Sequence, residues 1–429
     1  MPRMFLDVEP LRVYPEFRRL WIGFAASQVG TQMSVVAIAL EVYRITGSNL
    51  DVGLISLIQL FPAIIGSLLG GSIADAMDRR KLLVITGTTM SILSIGLALN
   101  ADRVHPSLVL VYVLAAVNAA FQGINGPALT AVLLSIVNRD IMVKANALRQ
   151  LSAQIASVLG PTVAGLLIPF GIHVVFWTNA GTFVLAIGAV LTIGSHPPVG
   201  GATRFGWKSI SEGLVFLKGR QAIQGCFIAD LNAMVLGMPT ALFPALALHH
   251  FHGGSGTLGI LYASPGFGAL LASMVSGWTP RVRRPGRAVV IAITIWGLGI
   301  AAFGVVAWLP AAVALLAIAG GADVISAVFR STIIQTQTPD RLRGRLSALQ
   351  QAVVTAGPRL GNGEAGIVAA LSTTEISVVS GGLGCLIGIA IVAKTMPKFV
   401  RYDMNGPDRF RDVEVIGEAD DDPAPATPH

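Results

Sequence analysis

Asn146-Ala-Leu-Arg-Gln150 returns 201 residues later as Ser347-Ala-Leu-Gln-Gln351. At the same offset Leu159-Gly160 returns as Leu360-Gly361, and Ala164-Gly165 as Ala365-Gly366. Small residues at fixed spacing in an apolar helix let a second helix approach closely. A chain that writes such a helix twice has the signature of two related membrane-embedded halves with a shared site between them.

The composition around this repeat agrees. Hydrophobic residues make up 53% of the 429 and charged residues 12%, too few to coat a water-soluble surface. A span needs ~20 apolar residues to cross ~30 Å of hydrocarbon. Twelve such stretches are expected, near 18–43, 50–73, 82–100, 107–136, 145–169, 173–195, 222–248, 256–278, 288–307, 309–337, 346–370 and 375–396. The expected fold is an all-α polytopic membrane protein, with twelve transmembrane helices in two pseudo-symmetric six-helix bundles. The divisions are a cytoplasmic N-terminus (1–17), a first bundle (18–195), a cytoplasmic linker (196–220), a second bundle (221–397) and a partly disordered tail (398–429), which is acidic and Pro-rich.

The net charge of +7 is a matter of topology. Arg44 and Arg103 fall in loops read as external, and Arg149, Arg330 and Arg359 in or at the ends of spans. The other 25 bases lie at the termini and in alternate loops. That is the positive-inside pattern of an inner-membrane protein with both termini in the cytoplasm. Their partner is the anionic lipid surface and not nucleic acid. No P-loop, GxSxG or HExxH motif is present, so neither ATP hydrolysis nor proteolysis is expected; the chain reads as no enzyme. Cys226 and Cys385 have no metal or disulfide spacing, and no cofactor is implied. His249, His250 and His252 read as a solvated external loop rather than a metal site. Glu41 and Arg44, three apart near the external end of span one, read as a local ion pair.

After span two comes Gly71-Ser-Ile-Ala-Asp75-Ala-Met-Asp78-Arg79-Arg80-Lys81. This resembles the signature loop of the major facilitator superfamily, in which Gly71 permits close packing and Asp75, Arg79 and Arg80 form a conformational latch. Asp78 stands where that pattern has Gly. The second-half copy is degenerate, with Gly277 kept but Arg281 in place of the acid. Gln337-Thr-Pro-Asp340-Arg-Leu-Arg343-Gly344-Arg345, then Ala356-Gly-Pro-Arg359-Leu-Gly-Asn-Gly-Glu364-Ala-Gly366, resembles spans ten and eleven of the branch that is enterobactin-exporter-like and macrolide-exporter-like. Asp230 with Ala241-Leu-Phe-Pro244 is similar to span seven of that branch. The superfamily resemblance covers residues 15–400 and implies a proton-driven exporter of siderophores, drugs or related metabolites, common as a monomer. The superfamily's usual Arg near Asn118 in span four is missing.

The embedded polar groups carry the functional reading without the family. A charge at the bilayer centre costs ~2.5–3.5 kcal/mol even on the lenient insertion scale, so each needs a partner or a wet cavity. Asp230, Asp323, Arg330, Arg359 and Glu364 all lie in the second half, and Val158 and Val163 stand at the repeat positions of Arg359 and Glu364. Asp230, Asp323 and Glu364 are the proton-coupling candidates, because a buried acid without a fixed counter-charge can load and release a proton. Arg330 and Arg359 are their charge partners in one expected network across spans seven, ten and eleven. Asp230, with no base within a turn, is the favoured carrier. Asp323 and Arg330 are ~10 Å apart by helix rise, too far for direct pairing. The expected substrate cavity is lined by Gln28 and Gln32 of span one, Asn118, Gln122 and Asn125 of span four, Arg149 of span five, and Met234 and Met238 of span seven. The resulting reading is a proton-coupled exporter of a small amphipathic molecule. A lysolipid flippase, a facilitator and a non-transporting sensor are the alternatives.

Overall fold

The computed structural model describes residues 8–195, 216–339 and 342–404, except the side chains of Arg139 and Asp140. The linker from 196 to 215, Asp340 and the tail beyond 404 lie outside the described residues. The spanning helices are α1 (Pro15–Thr46), α2 (Asn49–Ala76), α3 (Arg79–Ala101), α4 (Leu108–Ile136), α5 (Arg139–Leu167), α6 (Ile172–Leu191), α7 (Gln221–Leu236), α8 (Ser255–Val275), α9 (Pro285–Phe303), α10 (Leu309–Gln337), α11 (Arg343–Leu371) and α12 (Thr374–Thr395). Beyond Leu236, α7 breaks at Gly237-Met-Pro239 and resumes as short helical pieces to His250.

Eleven of these segments are long and apolar enough to cross a bilayer. The exception is α11, long enough at 29 residues but carrying Arg359, Asn362 and Glu364 in its middle. It is spared contact with lipid on one side because it packs along α2 of the other half.

Apart from the connection between α6 and α7, short loops turn the chain, and local chemistry sets them. Gly47 closes α1 in the left-handed region at φ 64°, a conformation that costs glycine little. Ser48, Ser107 and Thr373 accept hydrogen bonds from backbone N–H groups in the first turns of α2, α4 and α12. Asp78 sits at φ −56°, not strained, and caps α3 by accepting from Arg80 N at 2.8 Å and Lys81 N at 3.4 Å. The acid in place of Gly is therefore an N-cap.

Helices α1–α6 pack among themselves, as do α7–α12, and two seams join the bundles: α2 against α11 and α5 against α8. Both seams are glycine on glycine. A Cβ placed on Gly53 would lie 3.1 Å from Gly366 Cα, and one on Gly165 would lie 3.2 Å from Gly259 Cα. Gly165 and Gly366 are the repeated glycines of the sequence, so the duplicated helix supplies one side of each seam. These contacts lie on the face away from the first and last described residues. There Asn49 Nδ2 also donates to Thr374 Oγ1 at 2.9 Å, and Tyr43 meets His249 edge-on across the bundles. The halves are thus zipped on one face of the molecule, and a void separates them toward the face that carries the first and last described residues.

Candidate functional site

Three adjoining cavities make up that void. The innermost, about 150 Å³, lies under the sealed face and is lined from both halves by Ser34, Gln59, Asn118, Gln122, Asn179, Thr240, Tyr262, Arg359 and Asn362 among others. A wider one of about 680 Å³ shares Gln122 and Arg359 with it and continues toward the terminal face past Asp75, Thr130, Arg149 and Gln351. A third of about 370 Å³ shares Ser67, Gln351 and Thr355 with the second, and runs between α2 and α11 along Ile64, Leu68, Ala348 and Ala352. The volumes suit a drug-sized ligand with a few fixing polar groups.

The broken part of α7 forms part of the innermost wall. Its freed backbone groups are satisfied from neighbouring helices. Asn362 Oδ1 accepts from Thr240 Oγ1 at 2.6 Å and Ala241 N at 3.0 Å, and Tyr262 Oη donates to the Thr240 carbonyl at 2.8 Å. Irregular backbone at membrane depth is tolerated where it borders a cavity and finds such partners. His250 fixes the end of this segment between Glu375 Oε1 at 3.3 Å and the Val306 carbonyl at 3.1 Å. The histidines are therefore not a merely solvated loop; His250 ties three elements together at the sealed face.

The embedded charges do not form the single network expected. Arg330 Nη2 lies 2.8 Å from Asp230 Oδ1 and 3.8 Å from Asp323 Oδ1, and its Nη1 donates to Ser326 Oγ at 2.7 Å. Asp323 and Arg330 are thus within ion-pair distance despite their axial offset. Helical side chains lean toward the N-terminus, and the long Arg330 chain reaches back along α10. Nor is Asp230 without a base, because its partner comes from another helix. Asp230 and Arg330 are buried, with side-chain exposures of 9% and 7%, while Asp323 is 34% exposed. Ile318, an exposed residue of α10, lies ~140° around the helix from Asp323. Asp323 lies on the side of α10 away from Ile318 and lines none of the three cavities. Two carboxylates on one guanidinium leave the cluster one negative charge in excess.

Arg359 and Glu364 stand apart from it. Arg359 lines both inner cavities, donates to the Thr355 carbonyl at 2.8 Å, and pairs with no acid among the described residues. Its buried Nε has no hydrogen-bond partner there. Glu364 projects ~140° away from Arg359, on the side where Gly357 and Gly361 meet α7. It is half-buried, makes no ion pair among the described residues and lines none of the three cavities.

Of the amide and thioether positions, Asn118 and Gln122 line the innermost cavity, with Gln122 Nε2 donating to Asn118 Oδ1 at 2.8 Å. Asn125 instead turns into the first bundle and accepts from Thr86 Oγ1 of α3 at 3.1 Å. Gln28 and Gln32 line neither inner cavity, and Gln32 packs against Gly160 of α5. Thr31, Ser34 and Ile38 take the cavity face of α1 in their place. Met234 and Met238 pack on Gly357 and Gly361 of α11 and are core, not pocket. Arg149 lines the wide cavity and donates to Thr130 Oγ1 at 3.2 Å.

In the expected latch, Asp75 lines the wide cavity and forms no ion pair among the described residues. Arg79 and Arg80 donate to the Ala131 and Leu191 carbonyls at 3.3 and 2.6 Å, near the ends of α4 and α6. Cations there complement the helix dipole. Glu41 is buried rather than paired with Arg44, and accepts from Asn100 Nδ2 at 3.2 Å. It is a buried acid of the first half that sequence reading missed. Nothing in its surroundings along the chain distinguishes it from an interfacial glutamate.

Two six-helix bundles zipped on one face, with a polar void between them open on the other, define a carrier of the major facilitator fold. The chain belongs to the transmembrane secretion effector family, which it matches over residues 7–426. It is 28% identical over 406 residues to the enterobactin exporter EntS of Shigella boydii serotype 18 and to that of Escherichia coli O139:H28, covering 94% of this chain and 97% of each relative. Among solved structures it resembles a bacterial homologue of the human lysosomal transporter Spinster in an inward-facing, unoccupied conformation, with TM-score 0.72 and 16% identity over 92% of this chain and 99% of that one. The nucleoside transporter NupG gives TM-score 0.71 and 14% identity over 90% and 100%. The protein is a multi-pass inner-membrane transporter of the major facilitator superfamily, and not an enzyme.

Proposed function

We propose that this transporter is a proton-coupled exporter of a small amphipathic molecule, a siderophore, drug or related metabolite, working as a monomer by alternating access. The observation that carries this reading is the one-sided seal: two glycine seams close one face while a continuous void reaches the other. The positive-inside pattern assigns the open face and both termini to the cytoplasm. Substrate then enters from inside, and exit requires the seams to open. The similarity to the enterobactin exporters over nearly the whole chain supports the outward direction.

Proton coupling rests on the Asp230–Arg330–Asp323 cluster. Its excess negative charge is relieved by one proton, and Asp323 is the more exposed of its two acids. Protonated, Asp323 no longer competes for Arg330, and the α7–α10 contact tightens onto Asp230. Glu364 is retained as a second acid, though Asp323 is the better carrier because it shares Arg330 with Asp230. Asp75, Arg79 and Arg80 would engage as a latch when the terminal face closes. The α2–α11 cavity, largely apolar, favours a lipid-like cargo as a second reading.

Everted membrane vesicles test the proposal. A lipophilic dye should be taken up when an inward-acidic pH gradient is imposed, and Asp323→Asn should uncouple uptake from the gradient. Uptake that is equal with and without the gradient would make the protein a facilitator. No uptake of any compound retained by a deletion strain would make it a sensor.

A further inference from the structure

We infer that the central cavity binds an amphipathic anion, whose acidic head is held by Arg359 and Arg149 and whose apolar body lies along the α2–α11 cavity. This rests on the transport reading above and deepens it by naming the substrate's chemistry. The wide cavity contains two guanidinium groups and one carboxylate, Asp75, so it carries a net positive charge. Neither arginine has an acid partner among the described residues. Among the described residues each makes one hydrogen bond, to a carbonyl or a hydroxyl, and so keeps further donors for a ligand. Among the described residues Arg359 also has a buried Nε without an acceptor. A guanidinium is never deprotonated and presents a planar fork that fits a carboxylate or phosphate.

The sequence gives a second, independent argument. Arg149 faces Gln350 across the internal repeat, and Arg359 faces Val158. The shared scaffold therefore requires neither charge, whereas the seam glycines are kept in both copies. The two arginines come from opposite halves, so one anion between them would be gripped by both moving bodies. The third cavity joins the second at Ser67, Gln351 and Thr355 and offers Ile64, Leu68 and Ala352 to the apolar part. It lies between α2 and α11, the two helices that separate on the open face.

The test uses the full chain in lipid nanodiscs, with empty discs subtracted and two fluorescent probes, 11-(dansylamino)undecanoate and its methyl ester. The acid should bind at least about tenfold more tightly than the ester. Arg359→Gln should reduce that preference to about threefold or less, and the Arg149→Gln/Arg359→Gln double variant should abolish it. Arg359→Lys should retain part of it. Unchanged ester affinity in all variants would report an intact cavity. Equal affinity of acid and ester for the unaltered protein, absence of binding by both, or a preference that survives in the double variant would overturn the inference. Displacement of the acid by lysophosphatidylglycerol or by decanoate at the lower concentration identifies a lipid headgroup or a free acid as the source. Vesicles that carry the ester without preferring the acid would refute the anion site and leave transport standing. Vesicles that carry neither probe nor any retained metabolite would refute transport itself.

Discussion

Helices α5 and α11 are two copies of one sequence, and they do one thing alike and one thing differently. Alike, each presents a glycine to a helix of the other bundle, Gly165 to Gly259 and Gly366 to Gly53. Alike again, Gly160 meets α1 and Gly361 meets α7. Differently, α11 carries Arg359 into the cavity where α5 has Val158, and α5 carries Arg149 where α11 has Gln350. The duplicated positions build the hinge and seal, where backbone must meet backbone and only glycine fits. The unduplicated ones line the void, where a ligand and not a neighbouring helix is the partner.

Four outcomes would break or sharpen this comparison. The largest effect is expected at the seams: Gly366→Leu and Gly165→Leu should each lower transport at least about tenfold. The leucine has only backbone to displace, and overpacking of this kind is strongly unfavourable. A matched loss in the two variants, read as vesicle uptake, sharpens the symmetry; a loss in only one breaks it. Next, Arg330→Ala leaves Asp230 buried without its counter-charge and should destabilise the protein by about 3–5 kcal/mol. The double variant Arg330→Leu/Asp230→Leu should recover most of that, as measured by thermal unfolding in detergent. Met234→Ala should cost about 2–5 kcal/mol by opening a void against Gly357, with the probe affinities unaltered. A change in probe affinity instead would return Met234 to the pocket. Smallest, Asn125→Ala should cost about 0.6 kcal/mol, the ordinary value of a helix–helix hydrogen bond in a membrane, and leave transport intact. Gln122→Ala, inside the cavity, should alter substrate preference by more than its equally small stability cost.

Much of this architecture is readable along the chain. Apolar length gives the spans, and the repeat gives the two bundles, because the pattern records which helix face must stay small. The same logic fails for partners. Arg330 and Asp323 read as too distant when only axial rise is counted, since spacing ignores the reach of an arginine chain bent toward the helix N-terminus. Asp230 reads as unpartnered along the chain because its base lies a hundred residues on, on α10. Gln32 and Asn125 have the same amide chemistry as Asn118 and Gln122, yet face helices and not the void. Helical phase tells which residues share a face; it does not tell which neighbour that face will meet.

Sequence by itself determined that this protein is a duplicated, membrane-spanning bundle with charge retained where lipid penalises it. The duplication follows from the repeat, and the spans and the penalised charges from transfer free energy, which depends on residue type and length alone. Only the tertiary structure decided which charges neutralise one another, which are left to a ligand and which face of the molecule is shut. Those depend on distances between helices far apart in the chain, and Coulomb attraction, hydrogen bonding and close packing act only across such distances.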